Sequence, residues 1–382
     1  MLSLFWQRPK NEREGRFGTS FANSRGMNRR SFLGNTALGA AALTASETLL
    51  TSQSAEAAAM SPMKMPPLPR TVKRGDMPYR TLGKTGEMVS LVGLGGFHIG
   101  KQTEENASIR IIHAAIDNGI NFMDNCWDYH EGLSELRMGK ALQGGHRDKV
   151  FLMTKIDGRP KSVAAKQIDE SLARLRTDHV DLLQFHEILR FEDPDRIFAP
   201  GGAIHAAMEA QKAGKVRFIG FTGHKSPEIH IQMFKVADEH GFHFATVQHP
   251  VNVFDAHYRS FMHQVMPVAA AHGTASLGMK TFGDHFILSK VQQTGAATPT
   301  QMLHFGMSQP VSVLITGIDS LKILDQALDA ARTFKPMTQG EQSALLAKTK
   351  DAAMTGKYEL FKTSEHFDST AQHPEWLGNK GN

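Results

Sequence analysis

VFLMTKIDGRPKSVAAKQIDESLARLRTDHVDLLQFH, residues 150–186, reads as a strand, a helix and a second strand. VFLMT (150–154) and DLLQFH (181–186) are short, mainly apolar runs, and SVAAKQIDESLARLR between them has its apolar residues at helical spacing. Apolar strands without polar alternation are buried on both faces. Joined by helices, they belong to a parallel sheet covered by those helices.

The same unit recurs outward in both directions. Apolar runs occur at LVGLGG (91–96), NFMDN (121–125), VRFIGFT (216–222), ATVQHP (245–250), ASLGMK (275–280) and VSVLIT (311–316). With the first pair that makes eight, their starts separated by 30, 29, 31, 35, 29, 30 and 36 residues. SIRIIHAAIDNG and SLKILDQALDAARTF have the helical period. Eight units at near-constant spacing predict a closed (β/α)8 TIM barrel rather than an open doubly wound sheet. No Gly-x-Gly-x-x-Gly follows the first strand, because Phe97, His98 and Ile99 come after LVGLGG. YRTL and MVSL, turned through LGKTG, predict a hairpin beneath the barrel, and residues 337–366 predict one or two outer helices.

Composition is that of a globular chain, with 41% hydrophobic and 21% charged residues and Gly plus Pro making 50 of 382. One cysteine, Cys126, excludes a disulfide framework, a protein-held iron–sulfur cluster and a multi-cysteine zinc site. The net charge of +5 is confined to residues 1–30, where seven basic groups face two acidic ones; the other 352 residues carry 36 of each sign. The folded part therefore offers no net basic surface, which argues against nucleic acid as a partner.

The N-terminal region reads as a leader over residues 1–59. From Met27, an alternative start, MNRRSFLGNTALGAAALTASETLL places Arg29 and Arg30 before an apolar run, Thr36–Leu50, and small residues follow at 55–59. This order is that of a cleaved export signal, and the arginine pair with Phe32 and Leu33 resembles a bacterial twin-arginine signal. The run is about 15 residues and broken by Glu47, short of the roughly 20 needed to span a membrane. The expectation is an exported, periplasmic protein that meets the twin-arginine machinery and keeps no stable membrane span. Residues 60–76 read as a Pro-rich linker, 77–366 as the barrel with its additions, and 367–382 as a loose polar tail.

Barrel enzymes carry their chemistry at the carboxyl ends of the strands. There the chain places Asp124 and then Tyr129 after strand two, Lys155 at strand three, His186 at strand four, and Thr222, Gly223 and His224 at strand five. Gln248 and His249 lie in strand six, Lys280 ends strand seven, and Gly317 and Asp319 follow strand eight. Adjacent strand tips are about 4.8 Å apart, so these side chains can touch. An ammonium beside a phenol stabilises phenolate, which predicts a Tyr129 pKa lowered from about 10 toward a working pH. Asp124 would aim Lys155, and His186 could donate to a substrate carbonyl.

NFMDNCWDYHEGLSELRMGKAL (121–142) resembles the aldo/keto reductase signature, with Asp and Tyr five apart and a Ser-Glu helix start after them. MTK, ending at Lys155, and DLLQFH, ending at His186, match the next two signatures of that family, and the resemblance covers about residues 77–335. It implies a nicotinamide dinucleotide, NADP with NAD also open, hydride transfer to a small-molecule carbonyl substrate, and Asp124, Tyr129, Lys155 and His186 as the catalytic four. It further implies that Thr222 and Gln248 hold the nicotinamide amide, and that Lys280, Gly317, Ser320 and Asp325 lie toward the pyrophosphate and adenosine.

The chain departs from the family pattern in several places. HEGLSE after Tyr129 is longer than usual, Gly223 stands where many members have Asn, and Met279 where many have a stacking Tyr. The strand-eight region lacks the usual Arg for a 2′-phosphate, leaving Lys322 as its substitute, and Ala327 replaces a common Asn. Phe97, Trp127, Phe191 and Phe282 are candidate pocket walls. Two other functions stay open at this level: a cofactor-binding regulatory or redox-sensing subunit, and a metal-dependent hydrolase built on His186, His224, His249 and Asp319.

Overall fold

The computed structural model describes residues 65–378. The leader with its arginine pair and Met27, residues 60–64 of the expected linker, and residues 379–382 lie outside the described residues.

Three strands come first: Thr71–Arg74 (β1), Met77–Thr81 (β2) and Met88–Ser90 (β3), in an antiparallel sheet of order β1-β2-β3. The expected hairpin is β2 with β3. The expected linker is corrected, because its residues 71–74 pair with 77–80 as an added edge strand. TVKR hid this role: an edge strand exposed on both sides shows no apolar alternation.

Eight parallel strands follow: Val92–Gly95 (β4), Phe122–Met123 (β5), Phe151–Ile156 (β6), Val180–Phe185 (β7), Val216–Thr222 (β8), Thr246–Pro250 (β9), Ala275–Met279 (β10) and Val313–Gly317 (β11). They close in the order β4 to β11, with β11 returning to pair with β4. Each falls on one of the eight apolar runs. The (β/α)8 barrel is therefore the fold, and helices cover the strands outside.

Side chains fill the barrel interior. Phe122, Phe151, Met153, Leu182, Leu277, Val313 and Ile315 pack with Leu82 and Val89 of the hairpin region in one cluster, so the hairpin plugs the barrel's lower end. Buried Arg80 fixes that plug by donating to the carbonyl oxygens of Met307 (2.8 Å), Val311 (2.8 Å) and Gln309 (3.3 Å). A guanidinium has five donors, and buried carbonyls past a helix end need partners. With the bottom sealed, the strands' carboxyl ends are the face left for chemistry.

After the barrel comes the helix Gln339–Ala353, begun by a capping box of Thr338 and Glu341. Two short helices, Leu360–Thr363 and Ser369–Gln372, and a 3-10 turn, Pro374–Leu377, complete the described chain. The expectation of a loose tail from 367 is corrected. Arg190 donates to both carboxylate oxygens of Asp368 (3.0 and 2.8 Å) and to Thr370 (2.7 Å); the Arg159 amide donates to the Trp376 carbonyl (2.8 Å). Trp376 meets Trp127 edge-on at 5.1 Å. Residues 360–377 thus form a strap across the loops at the mouth. Its start is anchored by buried Lys362, which donates to Asp255 (2.7 Å) and the Tyr258 carbonyl (2.7 Å). No helix among the described residues is long and apolar enough to cross a membrane.

Candidate active site

Lys155 is the next-to-last residue of β6, and its side chain turns inward at the mouth. Its Nζ donates to Asp124 Oδ1 (2.5 Å), to the Asn125 carbonyl (2.7 Å) and to the Tyr129 hydroxyl (3.0 Å). Three donors meet three acceptors, so the buried ammonium is fully used. Asp124, just past β5, also accepts from the Gly96 amide at 3.3 Å. Gly96 must be glycine, since a Cβ there would collide with the Asp124 carbonyl.

Tyr129 sits in the loop Cys126–Gly132, whose last three residues, His130, Glu131 and Gly132, all have positive φ (53°, 57° and 85°). The lengthened HEGLSE stretch is thus a tight left-handed turn, not a flexible insertion. Several contacts support it. Arg174 donates to the Trp127 carbonyl (2.8 Å), Ser134 to the Gly96 carbonyl (2.6 Å), and His130 Nε2 lies 2.9 Å from the Phe97 carbonyl. Buried Glu135 accepts from Thr154 at 2.5 Å, tying the helix after this turn to β6.

The expected lowering of the Tyr129 pKa is corrected: burial, and then the Asp124 charge, push the phenol well above its usual value. Asp124 offsets the Lys155 charge, so the ammonium does not act on the phenol as a free cation would. Tyr129 is a phenol at neutral pH, and Lys155 is in place to hold the oxygen once its proton leaves.

His186 follows β7, with its ring centroid 5.8 Å from that of Tyr129. Its Nδ1 is 2.7 Å from Asp157 Oδ1 and 3.3 Å from Cys126 Sγ. Burial opposes a charge on the ring, but the Asp157 carboxylate raises its pKa above the ordinary value. Glu187, next in the chain, is buried and pushed up to about 7, mainly by burial, then by Asp157, Asp368 and Asp128 against the lowering effect of His186. Its carboxyl accepts from the Thr370 amide (3.3 Å) and the Ser369 hydroxyl (3.4 Å) of the strap.

The other expected site residues divide into two groups. Thr222 and Gln248 are buried register partners on β8 and β9. Gln248 Nε2 contacts Met279 Sδ at 3.4 Å, and its Oε1 has no partner among the described residues. Lys280 lies under two strap rings, 4.7 Å from Phe367 and 5.8 Å from Phe361, and burial pulls its pKa below the usual value. Ser320 and Asp325 lie apart from the catalytic cluster. Ser320 caps the helix Leu321–Thr333 by accepting from the Ile323 amide (3.3 Å), and Asp325 is exposed on that helix, as is Lys322. Gly317 lies against the His98 ring, which a Cβ would strike.

Gly223 faces the Ile188 carbonyl and the His230 ring, leaving no room for an Asn there. Of the candidate walls, Phe97 meets Tyr129 edge-on at 5.5 Å and Trp127 meets the strap; Phe282 packs on the outer core, and Phe191 is exposed.

The histidine set of the hydrolase reading is not assembled. His224 Nδ1 bonds the Phe361 carbonyl (2.8 Å), and its pKa falls to about 3, mainly through burial. His249 faces Phe261 and its own following carbonyl, and Asp319 is exposed. The donor groups that do converge among the described residues are Cys126–Asp157–His186 and His98–Asp284–His285.

Sequence reasoning missed Asp157, Glu187, Arg159 and the strap. The signal was present in IDGR directly after Lys155 and HE at the end of strand four, and in Phe361, Phe367 and Trp376 within an otherwise polar stretch.

The aldo/keto reductase family profile matches residues 91–340. "Uncharacterized oxidoreductase YrpG" of Bacillus subtilis is 30% identical over 245 residues, covering 59% of this chain and 72% of that protein. "Aldo-keto reductase YhdN" of Bacillus subtilis is 32% identical over 209 residues (50% and 58%), and "L-galactose dehydrogenase" of Arabidopsis thaliana 37% over 156 (38% and 48%). Among solved structures, the holo form of aldo-keto reductase AKR11C1 from Bacillus halodurans superposes with a TM-score of 0.62 at 21% identity, covering 74% of this chain and 99% of that one. An aldo/keto reductase from Klebsiella pneumoniae, in complex with NADP and acetate, gives 0.57 at 18% identity, covering 69% and 93%. The chain belongs to the aldo/keto reductase family and is an oxidoreductase.

Proposed function

We propose that this chain reduces an aldehyde or ketone to an alcohol with NADP, or with NAD, as hydride donor. The observation that carries this is the single buried unit of Lys155, Asp124 and the Tyr129 hydroxyl at the open end of the barrel. Two orphaned groups fit a nicotinamide dinucleotide: the buried Gln248 Oε1 has no donor, and the Lys280 ammonium has aromatic rings but no ion-pair partner within 4 Å among the described residues. Gln248 with Thr222 would hold the carboxamide, and Lys280, with Gly317 nearby, the pyrophosphate. The Klebsiella pneumoniae reductase, which was solved with NADP, supports NADP as the first choice of the two dinucleotides.

Bound there, the dinucleotide supplies the hydride for the carbonyl carbon. Tyr129 gives its proton to the carbonyl oxygen, and Lys155 stabilises the phenolate that remains. Asp124 keeps Lys155 aimed, and His186 donates a second hydrogen bond to the same oxygen. Phe97, Trp127 and the strap exclude water from the reacting atoms. A panel of aldehydes and ketones with NADPH and NADH tests this directly: turnover that disappears in Tyr129→Phe is expected, and absence of turnover with every pair overturns it.

We also propose export by the twin-arginine route, on the strength of Arg29, Arg30 and the apolar run after them.

A further inference from the structure

We propose that Asp157 is a positioning residue that holds His186 with Nδ1–H committed to its carboxylate, so that Nε2–H is the edge presented to the substrate oxygen. The proposal rests on the carbonyl-reducing function above. It begins from geometry: Asp157 Oδ1 lies 2.7 Å from His186 Nδ1, and both residues are buried. A carboxylate at that distance accepts a hydrogen bond from the ring's Nδ1–H, and with Nδ1 so committed Nε2 carries a proton only in the imidazolium.

The backbone that carries this carboxylate is itself held. Gln167 Oε1 accepts from the amides of Asp157 (2.9 Å) and Gly158 (2.8 Å). Arg159, fully buried, donates to the carbonyls of Asp157 (2.8 Å), His186 (2.8 Å) and Glu187 (2.9 Å), and to Asp193 Oδ1 (3.2 Å). One guanidinium therefore joins the chain after β6 to the chain after β7. The separation of Asp157 from His186 is set by backbone rather than by two free rotamers. That is the arrangement a positioned donor needs.

The groups facing the ring are these. Asp157 and Lys155 come from the β6 side, and Cys126, Asp128 and Tyr129 from the loop after β5. Glu187 follows in the chain, and His224 stands after β8. Asp157 and Glu187 favour the imidazolium, burial and Lys155 oppose it, and the ring's pKa stands above its ordinary value. A charged ring donates more strongly to a carbonyl oxygen than a neutral one. The pKa of the Tyr129 phenol is raised as well, which makes it a weaker acid, so the imidazolium supplies part of the polarisation of that oxygen.

The test has an arm on the parent protein and an arm on a variant. In the parent, ¹⁵N-labelled histidine should show both His186 nitrogens protonated at neutral pH; a neutral ring, whichever nitrogen is bare, overturns the proposal. This arm needs no turnover, so it separates failure of the pairing from failure of the carbonyl-reducing function. Asp157→Asn keeps the size and an oxygen for Nδ1–H but removes the charge. The His186 midpoint should fall by roughly 1–3 pH units, the range for loss of an adjacent opposite charge. The basic limb of the reduction profile should move down by the same amount, with dinucleotide affinity kept within about twofold. In a His186→Gln background, Asp157→Asn should lower kcat no further. A variant that loses thermal stability but keeps the parent pH profile marks Asp157 as structural only and overturns the proposal.

Discussion

Replacing Glu187 by Gln should stabilise the protein, and by an amount that depends on pH. Glu187 is 5% exposed, and its carboxyl is held at about 7 against an ordinary 4.5. At about 1.4 kcal/mol per pH unit, ionising it in the native state carries a penalty of at most about 3 kcal/mol. The sign follows from proton counts. Below about pH 4.5 the group is neutral in both states and adds nothing. Between there and about 7 the unfolded chain ionises while the native one does not, so stability falls as pH rises; above that the penalty is constant. Gln can accept from the Thr370 amide through its oxygen and donate through its nitrogen to the Ser369 hydroxyl oxygen, so the strap contacts survive. Glu359, also pushed to about 7, titrates in parent and variant alike and cancels in the difference. Thermal melts of both proteins should show nearly equal midpoints at about pH 5 and a gain of several degrees for the variant at about pH 8. An equal gain at both pH values, or a loss at the higher one, refutes the reasoning.

Tyr129→Phe should cut carbonyl reduction by roughly 10²–10⁴ and leave dinucleotide affinity within a few fold, read by fluorescence titration beside steady-state rates. Arg190→Ala removes a partly exposed pair worth about 1 kcal/mol, so limited proteolysis within 367–378 should run about fivefold faster while the barrel stays intact. Lys322→Ala should weaken NADPH binding more than NADH binding; equal effects in calorimetry mean that Lys322 does not read the 2′-phosphate. Replacing Arg29 and Arg30 by Lys should keep a fusion of residues 27–60 to a folded reporter inside the cell, and persistent export means that the pair is incidental.

The barrel is legible because a strand covered on both faces must be apolar along its length, as FLMTKI and VDLLQF are, and because each strand–helix unit takes about thirty residues. The tip rule leads to Asp124, Lys155 and His186, which stand within one residue of strand ends. Asp157 also stands one residue beyond its strand, but the apolar run VFLMT stops at Thr154, two residues short of the end of β6, so a carboxylate in IDGR looks like any loop residue. The direction of the Tyr129 shift is not legible, because a charge count at the tips sees Lys155 but not how closely Asp124 offsets it. The strap is illegible for another reason. Asp368, Thr370 and Ser369 are buried by polar partners such as Arg190 and Glu187, nearly two hundred residues earlier, and no local pattern carries that pairing.

The strap also sets an order of assembly. It lies beyond the last barrel helix in the chain, so it leaves the ribosome only after all eight strands have been made. Its anchors at Glu187, Arg190 and Asp255 have by then all been made. Until the strap docks, the Lys280 ammonium lacks the Phe361 and Phe367 rings that cover it in the finished protein. For a dinucleotide held at Lys280 as proposed above, that interval would be the one in which the site is uncovered.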